Sequence, residues 1–175
     1  MSTLYTPQLT DSAILQDDRQ RWRTLCMDCR IWDMPPQQLS QFVPQWKEVK
    51  FDRANSQILP PAMGIYMFVL KPQNEGLANF HHKYILYIGQ TVNLQQRFNQ
   101  YFSYKGSDEP SDQLKRIMIL LWQDRLSFNY FETPSFTADK LTSVEFDLID
   151  MIVPPMNHRF RADGIKQNVK FYSPR

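Results

Sequence analysis

The sequence predicts a small domain of mixed α and β structure (α+β), with a mainly antiparallel three-stranded sheet flanked by helices and a helical N-terminal extension. Three observations carry this. Apolar, β-branched and aromatic runs at 64–70 (GIYMFVL), 84–88 (YILYI) and 126–131 (LSFNYF) have the length and composition of strands. Apolar residues at helical spacing fill the intervals after 93, 111 and 137. Paired prolines at 35–36, 60–61 and 154–155 mark hard stops.

Taken in order, Trp22, Leu25, Cys26 and Cys29 fall at i, i+3, i+4 and i+7, a helical stripe running to about Trp32. Pro35 and Pro36 end it, and Leu39 to Val43 suits a second short helix before Pro44. Pro60 and Pro61 close this extension, which gives three regions: 1–60, a domain over 61–160, and a basic tail over 161–175. The strand at 64–70 and the strand at 84–88 are joined by a polar loop, 71–83, so an antiparallel hairpin is expected. Gly89 ends the second strand. Asn93 stands three residues before Gln96, a capping box that opens a helix to about Tyr104 with Leu94, Phe98, Tyr101 and Phe102 on one face. A further helix spans 111–123, with Leu114, Ile117, Met118 and Leu121. The third strand follows, and Thr137 caps a last helix that ends before Pro154. The order is β-β-α-α-β-α.

The chain is 42% hydrophobic and 22% charged, ordinary for a folded domain. Its opening, MSTLYTPQLTDS, has neither a basic segment nor an apolar run, and no stretch approaches the ~20 apolar residues of a membrane helix. A cytoplasmic protein with no membrane contact is expected. The net charge of +2 is unevenly divided: zero over 1–63, −2 over 64–158 and +4 over 159–175. A chain that handles nucleic acid gathers positive charge where phosphates run, which directs attention to Arg159, Arg161 and the tail. The bland alternative is a solvated end. Cys26 and Cys29 lack the second pair of ligands that a structural zinc site needs, so two reduced thiols along a helix are expected.

The last predicted helix carries the most informative residue. At 100° per residue, Leu141, Leu148, Ile149 and Ile152 all lie within about 60° of Glu145, while Ser143, Asp147 and Asp150 lie on the far side. A carboxylate on a core-facing stripe is costly unless it is paired or bound to a cation. It is therefore an ion-pair partner of an arginine, a glutamate at the edge of a frayed face, a metal ligand or a catalytic acid. On the helix after the hairpin, Arg97 and Tyr101 stand four apart and share a face. An arginine fork beside a phenol suits a phosphate; alternatively Arg97 pairs with Glu145 and Tyr101 is a core aromatic.

Gly64-Ile65-Tyr66 and Tyr87-Ile88-Gly89 stand on the two hairpin strands, Arg97 and Tyr101 on the next helix, and Glu145 and Asn157 near the end. In this order and spacing the chain resembles the GIY-YIG nucleases over about residues 62–158. The resemblance implies a metal-dependent endonuclease that hydrolyses phosphodiester bonds, with DNA ahead of RNA as substrate. It implies catalytic roles for Tyr66, Tyr87, Arg97, Tyr101, Glu145 and Asn157. Glu145 would hold one divalent cation, Mg2+ or Mn2+, Tyr66 would be the general base with a pKa lowered by Arg97 and the metal, and Asn157 would order the site. Gln90, Arg97, Tyr101, Arg159 and Arg161 would bind the nucleic acid. Two departures stand out: 20 residues separate the tripeptides, and position 90 is glutamine where several relatives carry lysine. The alternative function is an inactive nucleic-acid-binding or partner-recruiting module, with residues 1–60 mediating a homodimer or a contact with another protein.

Overall fold

The computed structural model describes residues 39, 42–71, 84–106, 109 and 112–163. The Trp22–Cys29 stripe, the cysteine pair, His81 and His82, and residues 164–175 lie outside these. A four-stranded antiparallel sheet organises the described chain, in the order β1-β4-β2-β3. Its strands are β1 (Lys47–Lys50), β2 (Gly64–Leu70), β3 (Tyr84–Thr91) and β4 (Leu126–Glu132). Helices α1 (Leu94–Tyr101), α2 (Gln113–Trp122) and α3 (Ala138–Ile152) complete the frame, with short 3-10 turns at 53–58, 102–106 and 123–125.

The three strands expected from their apolar runs form, and β2 is the centre, paired with β3 on one side and β4 on the other. Six of its seven residues are buried, which explains an apolar run without polar alternation: both faces of the sheet are covered. On one face, Tyr66, Phe68 and Phe128 pack with Leu94, Phe98 and Tyr101 of α1 and Met118 and Ile119 of α2. On the other, Ile65, Met67, Val69 and Ile88 pack with Leu141, Val144, Leu148 and Ile149 of α3.

The fourth strand is a correction. It comes from within the segment expected to be a helical extension: β1 pairs with β4 along Lys47–Lys50, and the adjoining Phe51 and Leu59 are buried in the main core. Its four residues, KEVK, alternate charge around one buried valine, a run too short and too polar for the period-2 signal to register. Phe42 to Trp46, expected in part as helix, has no regular secondary structure, and its rings meet Phe131 and Phe136. Packing therefore begins well before residue 60.

Capping follows the sequence. Asn93 accepts from Gln96 N at 2.8 Å to start α1, and Thr137 accepts from Lys140 N at 3.3 Å to start α3. The carbonyls of Ala62 and Pro60 take the amides of Leu94 and Gln95, so the proline-bearing approach to β2 fixes where α1 begins. At the far end of α3, Val153 closes the helix with a left-handed φ of 51°, a costly conformation for a β-branched residue. Pro154 and Pro155 then prevent continuation, and the chain turns back toward β3.

Gly64 sits where a Cβ would lie 2.4 Å from the Phe131 carbonyl oxygen and 2.7 Å from Leu94 Cδ1. The first neighbour is backbone in the adjacent strand and cannot give way. Gly64→Ala should therefore cost at least about 2 kcal/mol in denaturant unfolding. Gly106→Ala, where nothing lies within 4 Å, should change stability by no more than about 0.5 kcal/mol.

Candidate active site

Five parts of the chain meet around the free edge of β3. Tyr66, from the sheet centre, is 2% exposed. Its ring stacks on Phe128 at 5.0 Å between centroids, and its hydroxyl lies 3.0 Å from the hydroxyl of Tyr101 on α1. The Tyr87 ring, from β3, stands 6.3 Å from that of Tyr66 and 6.4 Å from that of Tyr101. The three phenols thus form one cluster. Gly89 makes room for it. Opposite Tyr66 in the register, it would place a Cβ 2.5 Å from the Tyr66 hydroxyl oxygen and 3.0 Å from the Tyr87 ring. The glycine of the second tripeptide is thus explained by the tyrosine of the first.

Asn157 holds the strand that carries these residues. Its side-chain oxygen accepts from Ile88 N at 2.9 Å and its amide donates to Ile88 O at 2.8 Å. Met156 N adds a bond to Leu86 O at 3.0 Å. A sheet edge exposes unpaired backbone groups, and here one carboxamide satisfies both of those on a fully buried isoleucine. Asn157 thus fixes the β3 backbone between Tyr87 and Gly89.

Arg97 shares the α1 face of Tyr101. One guanidinium nitrogen donates to Gln100 Oε1 at 2.9 Å, while the buried Nε has no hydrogen-bond partner among the described residues. Burial opposes its charge, but the phenols of Tyr66, Tyr101 and Tyr104 together favour it, and its pKa is raised. Glu145 reaches the same region from α3, half-buried. It is not the centre of the buried arc of α3, which runs through Leu141, Val144, Asp147, Leu148 and Ile149, but lies on its β3 flank. Burial pushes its carboxyl up to about 7, against the lowering effects of Gln90 contacts and of the Arg97 and Arg159 charges. It forms no ion pair among the described residues, so the arginine-pairing alternative for Glu145 does not hold there. Gln90 bridges β3 to α3, donating to Thr142 Oγ1 at 2.9 Å.

The tyrosines behave differently from the lowered pKa expected for Tyr66. Burial first, and the neighbouring Tyr87 next, push the Tyr66 hydroxyl far above the usual phenol range. Tyr101 is likewise held well above it by burial, and Tyr87 is raised by burial and then by Glu145. Near neutral pH all three are neutral donors. Arg161, expected on a phosphate, is instead paired with Asp147 on the far side of α3. Asp147 itself was expected to face solvent, yet it is buried. Two further residues belong to the surroundings. Tyr104 follows Tyr101 by one turn and was legible as an extension of that stripe. Lys115 on α2, whose Nζ lies 4.6 Å from the Tyr104 ring centroid and whose charge lowers Tyr87, gave no signal in the sequence.

Among the described residues no group of three His, Cys, Asp or Glu side chains could hold a metal ion. The site offers one carboxylate amid phenolic oxygens. That donor set fits a hard cation that keeps most of its coordination to water and phosphate oxygens, and a carboxylate raised by burial, with no ion pair among the described residues, is the group such a cation would stabilise.

No protein-family model and no curated protein matches the chain. Among solved structures, it is similar to the GIY-YIG N-terminal endonuclease domain of UvrC from Thermotoga maritima. The magnesium-bound form has a TM-score of 0.39 at 16% identity, covering 60% of this chain and 93% of that one. A point-mutant form bound to its catalytic divalent cation has a TM-score of 0.41 at 16% identity, covering 61% and 94%.

The Glu145 carboxyl has a folded pKa above its ordinary value of 4.5. Below pH ~4.5 it is protonated in both states; as pH rises toward 7 the folded state binds more protons, so stability falls, and above 7 the loss is constant. The full loss is about 3 kcal/mol. Without divalent cation, Glu145→Gln should therefore be more stable than wild type at pH 8, with the difference vanishing at pH 4. Urea unfolding at the two pH values measures it.

Proposed function

We propose that the protein is a divalent-cation-dependent endonuclease that hydrolyses phosphodiester bonds in nucleic acid, with DNA as the favoured substrate. One observation carries the reading. A phenol cluster, an arginine whose buried Nε has no partner among the described residues, and a carboxylate with no ion pair among them, drawn from β2, β3, α1 and α3, converge at one sheet edge. Such a set of donors around one acidic group matches a phosphate held between positive charge and hydroxyl donors.

Glu145 is the residue that would hold the cation, Mg2+ or Mn2+, which supplies positive charge to the scissile phosphate and the departing oxygen. Arg97 supplies a fixed charge from the opposite side, with its fork directed by Gln100. Tyr101 and Tyr66 form a hydroxyl pair, so one hydrogen bond between them can be exchanged for one to a phosphate oxygen or to the attacking water. Burial raises these phenols in the absence of a cation, which supports Tyr66 as a donor that orients water; the base role that the resemblance implies would require the cation to lower it. Asn157 and Gln90 hold β3 against α3 and so set the distance between the phenols and Glu145.

Purified protein incubated with plasmid, single-stranded DNA and RNA, with and without magnesium, tests the activity. Cleavage that is abolished by chelator and absent in folded Glu145→Gln is expected; metal-independent cleavage, or normal cleavage by that variant, would sink the assignment.

Two further outcomes follow from the carboxyl at about 7. Cation binding needs the carboxylate form, so apparent magnesium affinity should climb up to tenfold per pH unit below 7 and level off above it, as read by titration calorimetry. Tyr66→Phe should slow single-turnover cleavage on the order of 10²-fold while leaving the shape of the pH profile unchanged. A limb rising above pH 8 in wild type that Tyr66→Phe removes would restore the base role.

A further inference from the structure

The far side of α3 presents Ser143, Asp147 and Asp150, one face of the helix at spacings of four and three. Such a face ordinarily meets solvent. Here the chain that leaves Asn157 comes back across it. Phe160 is buried against the α3 side of the core. The Arg161 guanidinium pairs with Asp147 and donates to Ser143 Oγ at 3.1 Å. Asp150 accepts the backbone amides of Arg161 and Ala162 at 2.9 and 2.8 Å. The segment is therefore fixed at both ends: at Asn157 by two bonds to Ile88, and at 160–162 by the α3 face. Only His158 and Arg159 lie between, both exposed.

The pair is poorly explained by stability alone. Asp147 is 5% exposed, and burying a carboxylate is a cost that one partner seldom recovers; apolar residues of similar size often serve better. Burial indeed raises Asp147 in spite of Arg161. What the pair does supply is geometry. It sets the path of a short span in which Arg159, exposed, stands two residues beyond Asn157, at the β3 edge that Gln90 joins to α3 beside Glu145.

We propose that Asp147 and Arg161 are positioning residues, a latch that holds residues 157–161 across α3 so that Arg159 meets the phosphate backbone of a nucleic-acid strand beside Glu145. This rests on the nuclease reading and deepens it. Arg161 is not itself a phosphate ligand; the latch already engages its charge. Arg159 is the phosphate ligand of the pair, and it acts at a phosphate adjoining the scissile one, since Arg97 serves the latter from the opposite side.

The test is equilibrium binding of a labelled duplex DNA oligonucleotide, in chelator, between 50 and 200 mM salt, with near-UV circular dichroism as the check of fold. Arg159→Ala should weaken binding roughly tenfold and flatten the log–log salt slope by about 0.9, the loss of one phosphate contact. Arg161→Met should weaken binding in the same direction, and the double variant should bind no more weakly than Arg159→Ala alone, because Arg161 acts only through Arg159. Should Arg161→Met fail to fold, Arg161→Lys, which keeps the charge and loses the fork, replaces it with the same expectation. Additive losses in the double variant would make Arg161 an independent ligand and overturn the latch. A folded Arg159→Ala protein with wild-type affinity and slope would overturn the proposal while leaving the nuclease reading intact. A wild-type protein that binds no nucleic acid in chelator would overturn the latch, and the nuclease reading falls with it only if magnesium-dependent cleavage is absent as well.

Discussion

The edge of β3 is the weak point of this fold and the place of the proposed site. A buried edge residue cannot leave its amide and carbonyl unpaired without a cost of a hydrogen bond or more each. Ile88 is fully buried and faces away from β2, and Asn157 satisfies both groups. That single carboxamide stands in for a fifth strand. A real strand would cover the edge and shut out a ligand. The side chain closes the backbone of one residue and leaves Tyr87, Gly89 and Gln90 on either side accessible to α1 and α3. It also sets the direction of the chain beyond α3, because the turn at Val153 and the two prolines has only four residues in which to bring Asn157 to the sheet.

Given that pin, the glycines follow. Tyr66 can lie across the sheet toward Tyr101 only if the residue opposite has no Cβ, and Gly89 supplies that absence. Gly64 lets α1 and β4 close onto the start of β2. The two tripeptides are thus one packing unit: glycine for approach, isoleucine for the α3-side core, tyrosine for the cluster. Both isoleucines, Ile65 and Ile88, belong to the core on the α3 side of the sheet. This is why a short motif can specify a site: each letter is fixed by a contact with another letter or with a neighbouring element.

How much of this the sequence disclosed depends on where each signal lies. Strands β2, β3 and β4 were legible because burial on both faces makes them continuously apolar, and α1 and α3 because Asn93 and Thr137 cap them as their spacing suggests. The strand β1 was hidden, since KEVK has no apolar run and its partner, β4, lies about 80 residues away. The residues proposed for the site were singled out by motif and spacing, and the structure brings Tyr66, Tyr87 and Tyr101 into one cluster, but their ionisation was not legible. Whether a phenol is lowered by an arginine or raised by burial depends on desolvation, which no spacing reports. The polar face of α3 misled for a related reason. Ser143, Asp147 and Asp150 have the period of a solvated face, and the residue that covers them, Arg161, follows by 11 to 18 positions across a double proline. A face can be polar because water meets it or because another part of the chain does, and periodicity alone does not separate the two.

The electrostatics of the site run counter to those of a folded core. In a core, buried polar groups find partners and buried charges find counter-charges. Here Arg97 Nε lacks a partner among the described residues, Glu145 is raised by burial with arginines acting only from a distance, and the phenols lose more to desolvation than their mutual hydrogen bond returns. Elsewhere in the same fold comparable groups are satisfied: Asp147 has Arg161, Asp150 has two backbone amides, and Asn157 has both groups of Ile88. Beyond β4, Thr133 Oγ1 is also buried without a partner among the described residues, but it is a neutral hydroxyl; the charged departures gather at one sheet edge. Local departures of this kind, in an otherwise consistent structure, mark the place where a ligand supplies what the chain does not. The sign of each departure also describes that ligand. An unpartnered guanidinium donor and neutral phenols ask for an anion with several acceptor oxygens, while the raised carboxylate a few side chains away asks for positive charge. A phosphodiester accompanied by a divalent cation meets both demands at once; an anion alone would leave Glu145 worse off, and a cation alone would do the same to Arg97.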